Sequence, residues 1–157
     1  MVFWRSSRVI ETVEEAREVV VESKERGFEF IKVYNRLGPE VYAAIVETAK
    51  KHNLPVDGHV PYDVGFASVV EARQFSVEHL YGASYAMRKR TGCRARFVQR
   101  WFREIDEAKL SEYFEKTAKA GLWNSPTLVV NMAWETRIDR LKREPELKYV
   151  AEFSKAT

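Results

Sequence analysis

The chain has 157 residues, with 26 Lys plus Arg against 23 Asp plus Glu, a formal net charge of +3. That length suits a single domain, and 45% hydrophobic residues are enough for a core, which excludes a disordered chain. One cysteine excludes a disulfide framework, no apolar run approaches the ~20 residues of a membrane span, and Met1-Val2-Phe3-Trp4-Arg5 lacks a signal peptide's apolar core, so a cytoplasmic protein is expected.

After an N-terminal tail over 1–11, Thr12-Val13-Glu14-Glu15 is a capping box. Val13, Ala16, Val19, Val20 and Ser23 continue at helical spacing, and Gly27 supplies a left-handed stop. Phe28-Glu29-Phe30-Ile31-Lys32-Val33-Tyr34 is short, aromatic and β-branched, and predicts a strand. Gly38-Pro39 opens a second helix with an apolar stripe of Val41, Ala44, Ile45, Thr48 and Ala49, closed at Asn53. Residues 55–60 predict a second strand cut off by Pro61, 64–72 a helix, and 75–80 a third strand. Asp106 caps a helix bearing Leu110, Phe114, Thr117 and Ala118 and ending at Gly121. A fourth strand is predicted over 122–130, and a helical segment over 131–157 is broken at Glu144-Pro145.

Such alternation of helix and strand implies parallel strands joined by crossovers, an α/β fold. Most charges are interspersed. The stretch 88–103 differs, with Arg88, Lys89, Arg90, Arg94, Arg96, Arg100 and Arg103 and no acid. Without a nucleic-acid motif beside it, this reads as a solvated surface over Phe97, Trp101 and Phe102, and an anion- or RNA-binding role is the weaker alternative.

Each of the first three strands places an unusual residue near its C-terminal end: Lys32, His59 and His79. In parallel α/β folds that end is where ligands and catalysts sit. Alternation puts Phe30, Lys32 and Tyr34 on one face of the first strand. A lysine held in an apolar strand without a partner tends to lose its proton. The neutral amine can capture carbon dioxide, and the carbamate is an anionic oxygen ligand for divalent cations. Two imidazoles facing it would make a three-ligand zinc-like site with a position for water, and water held there can attack a carbonyl.

Ile31-Lys32-Val33-Tyr34, Gly58-His59-Val60-Pro61, Val77-Glu78-His79-Leu80 and Trp123-Asn124-Ser125-Pro126-Thr127-Leu128 together resemble motifs of the amidohydrolase superfamily, of imidazolonepropionase and Xaa-Pro dipeptidase type. The resemblance runs from about Thr12 to about Val130. It implies strands four to seven of a (β/α)8 barrel. It also implies a carbamylated, metal-bridging Lys32, with His59 and His79 on a second metal and Tyr34 near substrate. The implied metal is zinc first, with Mn, Fe or Co accommodated by the same ligands. Asp57 and Glu78 are expected to be supporting or salt-bridging groups, and His52 a charge at a helix end.

The family's first-strand His-x-His pair is absent, the only histidines being 52, 59 and 79, and no eighth-strand Gly-Thr-Asp segment follows Val130. The resemblance therefore implies a partial barrel lacking the general base. It would be inactive alone, would associate with itself or a complementing segment, and would derive from an enzyme that hydrolyses C–N bonds of cyclic amides or dipeptides. A non-catalytic α/β interaction module is the alternative.

Overall fold

A computed structural model describes residues 7–80 and 105–127, together with Ala86 and Pro145. The basic stretch 88–103, the segment 131–157 and the end of the fourth predicted strand at 128–130 lie outside the continuous described stretches. The element order is α1 (Val13–Glu25), β1 (Ile31–Val33), α2 (Pro39–Lys51), β2 (Val56–Gly58), α3 (Gly65–Glu71), β3 (Ser76–Glu78), α4 (Glu107–Ala120) and β4 (Trp123–Ser125). The fold is α/β with short parallel strands. No helix among the described residues is long and apolar enough to cross a membrane.

The N-terminal signals act as the side chains dictate. Both halves of the Thr12/Glu15 capping box form, Pro39 occupies the first turn of α2, and Asp106 accepts from the amides of Ala108 (3.0 Å) and Lys109 (3.4 Å). The C-terminal ends share a device that spacing alone does not announce. In each of these four helices a left-handed residue follows the last turn: Gly27 (φ 80°), Asn53 (φ 54°), Arg73 (φ 53°) and Gly121 (φ 69°). The next amide reaches back five residues: Phe28 to Ser23, Leu54 to Ala49, Gln74 to Val69 and Leu122 to Thr117. These are Schellman closures, repeated four times, and each delivers the chain into the strand that follows. They also explain why β1 is shorter than the predicted 28–34 run. Phe28 belongs to the closure of α1, so extended pairing starts only at Ile31.

The strands form two parallel pairs. In the first, Ile31, Lys32 and Val33 lie opposite Val56, Asp57 and Gly58; in the second, Ser76, Val77 and Glu78 lie opposite Trp123, Asn124 and Ser125. The Phe75 amide donates to Val56 O (2.7 Å), which lays β3 beside β2 and gives the spatial sequence β1, β2, β3, β4. One buried side chain reinforces that seam. Gln74, 2% exposed, donates to Ser76 O (2.7 Å) and Gly58 O (3.4 Å) and accepts from the Tyr42 hydroxyl of α2 (3.0 Å). Ala16 and Val20 of α1, Val41, Ala44, Ile45 and Ala49 of α2, and strand residues Val33, Val56 and Val77 make the core, so the helices cover one side of the strands.

Gly58 is fixed by geometry. Its φ is +120°, and a Cβ there would run into the carbonyl oxygen and amide nitrogen of Val33 on the paired strand. Only glycine lets β2 approach β1 this closely while presenting the residue after it, His59.

Candidate functional site

Strand alternation sorts the side chains. Val33 and Val77 face the helices and are buried, whereas Lys32, Asp57, Ser76 and Glu78 share the other side by parity and register. Asp57 accepts from its neighbouring Gly58 amide (2.7 Å) and from the Ser76 hydroxyl, which ties β2 to β3 beneath the site. It is a structural group, as expected.

Lys32, His59 and His79 come together, but Glu78 is what joins two of them. Its Oε2 lies 3.2 Å from Lys32 Nζ and 3.7 Å from His79 Nε2. The rings of His59 and His79 meet edge to face with centroids 5.5 Å apart, and the Tyr34 ring lies 4.8 Å from His59. Lys32 Nζ is 5.9 Å from the same Tyr34 ring. Tyr34 therefore borders the cluster, between the lysine and the first histidine.

The picture of Lys32 as an unpartnered amine in an apolar strand is corrected. Its side chain is 33% exposed and ion-paired with Glu78. The signal was present in the sequence: a carboxylate at 78 falls on the same side as the lysine once β1 and β3 flank β2, so the two charges balance each other across β2. His79, by contrast, is one residue out of parity. A left-handed backbone at His79 and Leu80 (φ 56° each) breaks the alternation and returns the ring to Glu78. Non-glycine residues rarely adopt that conformation, and such strain concentrates at functional sites.

Burial holds the His59 imidazole down to about 4, with the neighbouring His79 and Lys32 acting in the same direction, so the ring is neutral at physiological pH. Each ring has an oxygen at Nδ1: Asn35 Oδ1 for His59 and Thr127 Oγ1 for His79. Two imidazoles held this way are of the donor type that suits a divalent metal. Among the described residues, no group of three or more His, Cys, Asp and Glu side chains is arranged to hold a metal ion. Lys32 is ion-paired with Glu78, and an ammonium has no lone pair to give a metal; it could act as a ligand only as a carbamate. A carbamate beside Glu78 would set two anions together, which a cation between them would relieve.

Fold and site define an α/β protein with a titratable cluster at the C-terminal ends of successive parallel strands. The chain is similar to the solved structure of bottromycin amidohydrolase, with a TM-score of 0.53 and 27% sequence identity over 80% of this chain and 26% of that one. It thus spans about a quarter of the length of the structure it matches. No family model and no curated protein matches the chain.

Proposed function

We propose that the chain is part of a metal-dependent amidohydrolase, its four strands taking positions four to seven of a (β/α)8 barrel whose remaining strands a further segment supplies. The observation that carries this reading is the likeness to an amidohydrolase structure, aligned over most of this chain. The meeting of Lys32, His59, Glu78 and His79 at the strand ends supports it.

In this reading His59 and His79 hold a divalent metal, zinc first, and Lys32 joins them as a carbamate. The metal, when bound, would activate water and polarise the carbonyl of a cyclic amide or dipeptide. The chain's own residues do the rest. Burial keeps His59 neutral and able to donate its electron pair, Glu78 holds Lys32 and His79 at one oxygen, and Tyr34 borders the space where substrate would lie. The general base is not in this sequence, so full turnover requires the complementing strands.

A second reading, a non-catalytic α/β module, has one observation in its favour: the Lys32–Glu78 ion pair balances the site's charge without a cation. Calorimetric titration with zinc in bicarbonate buffer separates the two. Heat of binding in the wild type that disappears in His59→Ala and in His79→Ala supports the hydrolase reading. Identical heats in all three proteins would leave the module.

A further inference from the structure

We propose that two copies of this chain face one another across a two-fold axis parallel to their strands and close an eight-stranded barrel, each protomer covering the other's open sheet face. A second copy then stands where the remaining strands of the barrel would lie. This rests on the barrel half of the reading above and not on the metal.

The strands leave one side bare. Helices cover the side that holds Val33 and Val77. The opposite side carries Phe30, in step with Lys32, and Trp123, opposite Ser76 by register. Phe30 is 51% exposed and Trp123 67%. Large aromatic side chains left this open on both flanking strands mark an interaction face.

Both sheet edges are open as well. Among the described residues β1 pairs only with β2, and β4 only with β3. Ile31 and Val33 direct their backbone groups at β2, and Trp123 and Ser125 direct theirs at β3. Successive residues of a parallel ladder bond to opposite sides. The backbone amides and carbonyls of Lys32 and Asn124 therefore point outward at the two edges.

The helix layer is offset to match. α2, α3 and α4 each connect two neighbouring strands, whereas α1 precedes β1 and packs against α2, so it overhangs the open flank of β1. Val13 and Val19 of α1 are only partly buried. Among the described residues no helix follows β4. Side by side, β4 of one protomer fits beneath α1 of the other, and the two-fold axis repeats that seam on the opposite flank. Four described strands and four described helices, doubled, make the eight of each that close a (β/α)8 barrel. Such an assembly is closed, with no edge left for a third copy. Charge does not oppose it, because Lys32 is paired with Glu78 (3.2 Å) within its own protomer.

Sedimentation equilibrium of the full chain reads the assembly directly. The wild type should be a dimer that does not grow with concentration. Phe30→Glu and Trp123→Glu should each raise its dissociation constant by about tenfold or more, with helix content by circular dichroism unchanged. Phe114→Glu, at an exposed position of α4, should leave the dimer intact. Hydrogen exchange should show the Lys32 and Asn124 amides protected in the dimer and released in the two inner-face variants. A monomer at every soluble concentration would overturn the proposal, and protection of those amides in that monomer would assign the edges to another part of the same chain. Open-ended polymers, or a dimer that neither inner-face variant weakens, would overturn it as well. None of these results decides zinc binding, which the calorimetry above tests separately.

Discussion

Gly58→Ala tests the close approach that places His59. At φ +120° an alanine is strained by about 1–3 kcal/mol. Its Cβ would also meet backbone rather than a flexible side-chain tip, with Val33 N only 2.8 Å away, and relieving that contact by moving a strand adds about 1–3 kcal/mol. Reduced freedom of the unfolded chain returns about 0.4–1 kcal/mol. The expected loss is therefore about 2–5 kcal/mol, a large part of the ~5–15 kcal/mol that holds a domain together. Gly27→Ala is the internal control, because Gly27 is also left-handed (φ 80°) but a Cβ there meets nothing within 4 Å. It should cost only about 1–2 kcal/mol. Urea unfolding of both variants gives the comparison. Should Gly58→Ala prove no more destabilising than Gly27→Ala, the contact between β1 and β2 is not what makes position 58 a glycine.

Tyr42→Phe removes the hydroxyl that donates to the buried Gln74 carbonyl, and should lower stability by about 1–3 kcal/mol in the same urea assay. A double-mutant cycle of Lys32→Met with Glu78→Gln should give a coupling of about 0.5–1 kcal/mol, since the side chains are 33% and 20% exposed, and the coupling should shrink as salt rises. The His59 proton affinity is depressed from 6.5 to about 4, so between those values the unfolded chain binds more protons than the native one. Stability should therefore fall as pH drops from about 6.5 to about 4 and be retained above it. His59→Gln should flatten that part of the profile by about 3–4 kcal/mol, at about 1.4 kcal/mol per pKa unit.

Much of the architecture was written in local chemistry. Thr12 with Glu15, Pro39 and Asp106 start helices because their side chains or rings suit orphan amides, whatever the tertiary context. Gly27, Asn53 and Gly121 stop them because they tolerate positive φ, whereas Arg73, left-handed at the same point in α3, carries no such signature. Strand lengths were less legible, since the Schellman closures and Gly58 consume residues that alone look extended. At the site, residue type and position pointed to Lys32, His59 and His79. Glu78 was legible as a salt-bridging group, but its pairing with Lys32 and the contacts of Asn35 and Thr127 were not, because they exist only when separate strands are brought together.

The most direct measurement is anomalous diffraction at the zinc edge from crystals grown with zinc and bicarbonate. An anomalous peak at ~2.0–2.1 Å from a ring nitrogen of both His59 and His79, with added density on Lys32 Nζ, is the predicted result. Crystals with no peak beside either ring, and with Lys32 still paired to Glu78, would contradict it.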